Sequence, residues 1–269
     1  MNNNPGIGAT SELNLRVSIA TLVRAVFKHP GNGEWMLALE RKATLRENKV
    51  EVKIQPFGGA IRILDLDAIH DMTGDFHFDS ERSRTEQDFR LFIRPSSWSA
   101  LREFCIQRLS HDNDPILETD PTRELVEEFA DALKINLQPE HYASKPVATV
   151  VENEATPTEN INAKGIHTVR IYRIFEATII YSALAHAMLK NSESLSHKRI
   201  CELVLEDACN GGKGRANAVL ALPLKGIMNT YIALTPEERN SPIFFEENHF
   251  DETVPAVLED ITVRKYQRL

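Results

Sequence analysis

The octapeptide Arg123-Glu-Leu-Val-Glu-Glu-Phe-Ala130 carries more chemical information than any other part of the chain. On a helix, Glu124, Glu127 and Glu128 fall at i, i+3 and i+4 and share one face. Leu125, Phe129, Ala132 and Leu133 fall roughly opposite and can pack into a core. Asp120 suits an N-cap and Pro121 a first helical position, which predicts a helix over 121–137. Three carboxylates this close repel one another unless something positive sits between them. A hard divalent cation takes oxygen ligands, and Arg123, one turn before Glu127, can hold one carboxylate in place. Glutamates are also strong helix formers, and a run of them on one face is commonly plain solvated surface. The pattern alone leaves both readings open.

Upstream of this helix the chain reads as strands. Residues 13–27 are rich in Val, Leu, Ile and Ala, a turn occupies 29–33, and 34–41 carries apolar Trp35, Leu37 and Leu39, which together predict a hairpin. Residues 50–54 alternate strictly and end at Gln55-Pro-Phe-Gly-Gly59, where proline and two glycines are expected to stop the strand. Ile61 and Ile63 suggest a further short strand. Residues 65–85 are polar and acidic without apolar periodicity, so a loop is expected there. A strand over 88–94 and a helix carrying Trp98, Leu101, Phe104, Cys105 and Leu109 follow.

Downstream, 146–152 and 166–180 read as strands joined by a polar linker, and 200–205 as a further strand candidate. Asn210-Gly-Gly-Lys-Gly-Arg215 is a glycine loop that either wraps a phosphate with its N–H groups or serves as an ordinary turn, and a helix is expected over 215–234. Strands and helices interspersed in this order indicate a mixed α/β protein.

Composition narrows the function classes. The 269 residues hold 31 Lys plus Arg against 39 Asp plus Glu, a net charge of −8. Such a chain lacks the cation excess that duplex nucleic acid demands, although a metal ion can bring phosphates to an acidic site. No apolar run approaches the roughly 18 to 20 residues that cross a bilayer. The start has no signal-peptide pattern. The three cysteines, Cys105, Cys201 and Cys209, form no CxxC pair. A cytoplasmic protein with reduced thiols is the expectation.

The octapeptide resembles the second half of the Nudix box, which ends Arg-Glu-apolar-x-Glu-Glu-x-Gly; Arg123, Glu124, Leu125, Glu127 and Glu128 match it. Gly58-Gly59 after a strand resembles the glycines that open the same box, and 169–176 looks like the strand that follows it. The resemblance implies a Nudix-like α/β/α sandwich with a mixed sheet, and Mg²⁺ or Mn²⁺ bound around a diphosphate. By position it implies Glu124, Glu127 and Glu128 as metal ligands, with catalytic roles for Glu127, Glu128 and the orienting Arg123. Gly58, Gly59 and the adjacent Phe57 are the expected substrate contacts, Phe57 by stacking on a base. The box is split, however: 64 positions separate Gly59 from Arg123. An insertion is therefore expected at about 64–115, with a C-terminal extension from about 235, in a single domain spanning 1–269. The first box glutamate falls on Pro115, with Glu118 close but out of register, and Ala130 replaces the closing glycine.

Two functions follow from the resemblance. One is a metal-dependent hydrolase that cleaves the diphosphate of a nucleoside diphosphate linked to another group. The other is a Nudix-fold nucleotide sensor or interaction module, of the kind found in bacterial signalling or defence, that binds without cleaving. A structural α/β protein with a chance match is the third reading. The expected partner is a nucleotide-type small molecule, with no duplex nucleic acid and no membrane, and relatives suggest a homodimer. Glu176 is a further acidic candidate, and Tyr172 and Tyr181 are further stacking candidates.

Overall fold

The computed structural model describes residues 13–152, 155–158, 163–223 and 242–245. Its spine is β1 (Leu15–Lys28), whose alternation buries the odd-numbered residues on one face and leaves most even-numbered ones only partly buried on the other. The turn at 29–33 leads into β2 (Trp35–Arg46), antiparallel to β1 from Lys28↔Trp35 to Ala25↔Ala38, as the sequence predicts. β3 (Lys49–Gln55) then pairs with β2. Pro56 shifts the chain sideways, and β4 (Phe57–Ala60) pairs with β1. The glycines therefore do not end a strand: they lie within one, because β1 provides a second partner on the same side.

The expected acidic loop over 65–85 is instead structured as α1 (Leu66–Thr73), β5 (His77–Phe78) and α2 (Glu81–Glu86). Short-range capping and single buried anchors replace periodicity there. The Asp65 carboxylate accepts from the N–H groups of Asp67 and Ala68, and Ser80 caps α2. Ile69 is fully buried, and buried Asp79 accepts two hydrogen bonds from Arg16, at 2.6 and 2.9 Å. β6 (Arg90–Ile93) pairs with β1, and α3 (Trp98–Leu109) follows a single 3₁₀ turn at Pro95–Ser97. α4 (Thr122–Leu133) begins one residue later than expected, with Pro121 at the cap. The Asp120 carboxylate still accepts from the Thr122 N–H at 2.7 Å.

β7 (Tyr142–Glu152), β8 (Thr156–Pro157) and β9 (His167–Ile179) follow, with β9 parallel to β1 along its length and antiparallel to β7. α5 (Ser182–Ser194) and α6 (His197–Cys209) come next. The strand expected at 200–205 is thus helical: Ile200 and Val204, one turn apart, are fully buried, whereas Leu205 is exposed. The helix expected at 215–234 is β10 (Arg215–Pro223) as far as 223, paired antiparallel with β2; 224–234 lie outside the described residues. Pro223 and the Ala/Leu/Val alternation suit an edge strand better than a helix. β11 (Pro242–Phe245) pairs parallel with β7. The sheet runs β10-β2-β1-β9-β7-β11 with mixed directions.

Helices cover both faces. Val23, Ala25, Phe27 and Val219 pack against α4 and α5 through Leu125, Phe129, Leu184 and Met188. Further along the same face of β1, Leu15, Val17 and Ile19 pack against α1 and α3. Ala218, one residue from Val219, packs under Ile200 and Val204 of α6. Neighbouring strand residues point to opposite faces, so α6 lies on the far side. α5 runs along the sheet edge between them: Asn191 and Ser192 accept hydrogen bonds from the β10 N–H groups of Val219 and Ala221, at 2.8 and 2.9 Å. These bonds close an edge that would otherwise offer free backbone groups.

Candidate active site

The site forms where α4 meets β4. Gly58 has φ +131°, and a Cβ there would sit 2.1 Å from the Thr21 carbonyl oxygen of β1. A Cβ on Gly59 would sit 2.2 Å from the Glu124 carboxylate. Both glycines are thus required by close approach: one lets β4 lie against β1, the other lets the first turn of α4 lie on β4. The Arg123 guanidinium donates to the Ala60 carbonyl at 2.9 Å and ties the two elements together.

The intervening segment closes on itself. Ile63 and Leu117 form a β-bridge, and Glu118 N–H donates to the Arg62 carbonyl at 2.9 Å. The excursion therefore leaves and returns at the same place, and glycines and helix come together as though contiguous. Glu118, out of register in the sequence, reaches the site in space. Its carboxylate accepts from Arg123 Nε at 2.9 Å and Nη2 at 2.7 Å. Arg123 Nη1 lies 2.7 Å from Glu124 and 3.5 Å from Glu127. Burial alone would lower the Arg123 pKa, but the three carboxylates outweigh it and raise it.

The glutamates of α4 differ in setting. Glu124 is buried, and burial pushes its carboxyl up to about 7 despite the opposing pull of Arg123. Glu127 is exposed, with a side chain 57% accessible. Glu128 faces β2, where burial and Glu40 push its carboxyl up to about 9. Glu40, in the middle of β2, is wholly buried; it accepts from Gln55 Nε2 at 2.8 Å, and Lys42 Nζ lies 3.2 Å from it. The same ammonium lies 3.5 Å from Glu128.

Gly58, Gly59, Arg123, the three glutamates of α4 and Lys42 line an open trough of about 770 Å³, which Arg82, Glu86, Asp88 and Arg90 wall on the side of the segment between β4 and α4. Burial raises the Asp88 carboxyl, while Arg90, 2.9 Å away, opposes this.

The chemistry of the donor set fits a hard divalent ion: the candidate ligands are carboxylate oxygens only, and Glu128 Oε2 is buried without a hydrogen-bond partner. Among the described residues, no three such side chains yet converge at metal-binding distance. Arg123 and Lys42 take up the carboxylate oxygens as the side chains stand. The exposed Glu127 has room to turn towards its neighbours.

Gly58, Gly59, Arg123, Glu124, Glu127 and Glu128 therefore meet in one place. Phe57 does not join them. It is fully buried and packs on Phe129 with ring centroids 4.8 Å apart, so it is a core residue that no base can reach. Glu176 lies opposite Arg24 in register and so faces away from α4; it pairs with Lys145 at 2.9 Å. Tyr172 belongs to the core of that same far face, and Tyr181 stacks on His141. The glycine loop at 210–215 cradles an internal carboxylate, because Asp207 accepts from the Gly214 N–H at 2.8 Å. Sequence reasoning missed Glu40, Lys42 and Asp88. An acid and a base two residues apart in a strand that opens with five apolar residues, both on its α4 face, were the available signal for the first two.

An α/β sandwich in which a glycine-bearing strand abuts a glutamate-bearing helix defines a Nudix-type domain. The family model described as the SMODS-associated NUDIX domain matches residues 14–204, and the chain belongs to the Nudix superfamily. Searches of curated proteins and of solved structures gave no match. Among the described residues no helix is long and apolar enough to cross a membrane.

Proposed function

We propose that this chain is a metal-dependent hydrolase acting on the diphosphate of a nucleotide-type molecule, a nucleoside diphosphate linked to another group. The observation that carries this reading is the contact of Gly59 with Glu124, which reassembles the split box around Arg123 with Glu118 beside it. Glu124, Glu127 and Glu128 would hold Mg²⁺ or Mn²⁺. Bound there, the ion supplies neutralisation of the diphosphate and a water of lowered pKa. Glu127, the most exposed of the three, accepts the proton of the attacking water. Arg123 is a positioning residue, since its contacts go to carboxylates and a carbonyl. Gly58 and Gly59 leave the trough floor open to a phosphate. Arg82 and Arg90 stand at its wall, where a second anionic group of the ligand can bind.

The test is release of phosphate or nucleotide from a panel of nucleoside diphosphate derivatives with Mg²⁺ or Mn²⁺. The reading predicts turnover that falls at least a hundredfold in Glu127→Gln and Glu128→Gln. Unchanged rates in both variants would refute the assignment. A binding module without turnover is the second reading, favoured by the ion pairs through which Arg123 and Lys42 already occupy the carboxylates. Tight nucleotide binding with no cleavage in either metal supports it.

A further inference from the structure

β2 carries an acid and a base that the box does not require. Glu40 has no accessible surface, and a buried carboxylate is costly unless it is paired and hydrogen-bonded. Its partners are Gln55 Nε2 at 2.8 Å and Lys42 Nζ, 3.2 and 3.3 Å from its two oxygens. The strand alternation places Glu40 and Lys42 on the same face, the face that α4 covers. Gln55, which opposes Glu40 across the β2–β3 pair, holds the carboxylate from the side. The ammonium is thus fixed at its root by one carboxylate and directed at a second, Glu128 Oε1, 3.5 Å away. The Lys42 side chain is 40% exposed and lines the trough, so its ammonium stands at the boundary between the buried Glu40 and solvent.

We propose that Lys42 is a built-in substitute for a divalent ion at Glu128: its ammonium and a bound Mg²⁺ or Mn²⁺ compete for the same carboxylate, and Glu40 with Gln55 holds the ammonium in the competing position. This rests on the proposed metal role of Glu128. It accounts for the cation that faces Glu128, while Arg123 pairs with the other two glutamates of α4. It also implies that the site loads at a higher metal concentration than its carboxylates alone would need, since each ion must displace a lysine.

Titration calorimetry of Mn²⁺ into the full chain, without nucleotide, tests this directly. Lys42→Met keeps the length of the side chain and removes its charge, and should bind Mn²⁺ about tenfold more tightly than wild type, a figure discounted for the exposure of the pair. Lys42→Arg should keep the weak wild-type affinity. Lys42→Gln retains a hydrogen bond to Glu40 and should reproduce the gain if the Met variant is too unstable to study. Adding Glu128→Gln to Lys42→Met should abolish the gain. Equal affinity in wild type and in the uncharged variants overturns the proposal and leaves the metal reading standing. Absence of Mn²⁺ binding in wild type and variants alike overturns both.

Discussion

The two glycines of β4 offer a sharp test, because an added methyl group meets a different obstacle at each. At Gly59 the new Cβ would lie 2.2 Å from Glu124 Oε2 and 2.7 Å from its Cδ. That obstacle is the end of a flexible side chain, and it can move. The expected loss of stability in Gly59→Ala is therefore modest, about 1–2 kcal/mol, at the lower end of overpacking costs. The displaced carboxylate is a proposed metal ligand held 2.7 Å from Arg123, so Mn²⁺ affinity should fall about tenfold, the scale of disturbing a ligand's support. At Gly58 the obstacle is the backbone of β1, with the Thr21 oxygen at 2.1 Å, and φ is +131°. Neither can yield, and Gly58→Ala should lose about 3 kcal/mol or more from strain and overpacking together. Urea denaturation read by circular dichroism gives the first quantity and calorimetry the second. Wild-type stability and wild-type Mn²⁺ affinity in Gly59→Ala would refute the packing of α4 on β4.

Glu124 and Glu128 both bind protons more tightly folded than unfolded, with carboxyls raised from 4.5 to about 7 and about 9. Without divalent ions, stability should therefore fall as pH rises from about 5 to 9; Glu124→Gln should lessen the fall below about pH 7 only, and Glu128→Gln should lessen it throughout and remove the part above about pH 7, as read from urea midpoints. Arg123→Ala leaves Glu118 and Glu124 without their cation and should cost about 2–4 kcal/mol, near the range for breaking a buried pair, measured by the same melts. Asn191→Ala removes the acceptor for the Val219 N–H and the donor to the Ala132 carbonyl. A loss of about 1–3 kcal/mol is expected in denaturant unfolding.

What was legible in the sequence was whatever depends on local pattern. The β1–β2 hairpin, the strand at 88–94 and the helix of Glu124 follow from alternation, turn residues and helical spacing. The errors share a cause. Ile200 to Leu205 is too short an apolar run to tell a strand from a helix by periodicity, and burial of Ile200 and Val204 alone settles it. The segment 65–85 is built on caps and a buried Arg16–Asp79 pair whose members lie 63 positions apart, a distance no local window spans. The same holds for the site. Glu124, Glu127 and Glu128 announced themselves by spacing. Glu118 reaches Arg123 only because the chain folds back through the Ile63–Leu117 bridge, and Glu40 reaches Glu128 only because β2 runs beneath α4. Phe57 misled because adjacency to glycines says nothing about which way a ring points.

The Ile63–Leu117 bridge has a consequence for how such a chain can change over time. Since the cost of closing a loop grows only with the logarithm of its length, the segment between those residues could lengthen or shorten while the glycines and Arg123 kept their distance. It is nonetheless no passenger. Its strand β6 is hydrogen-bonded to β1, and its helices bury Leu15, Val17 and Ile19, so deleting it would uncover one of the two main hydrophobic clusters. Its Arg82, Asp88 and Arg90 also stand at the trough wall. Length is therefore cheap there while composition is constrained, and ligand preference can drift through substitutions in this segment that leave every glutamate of α4 untouched.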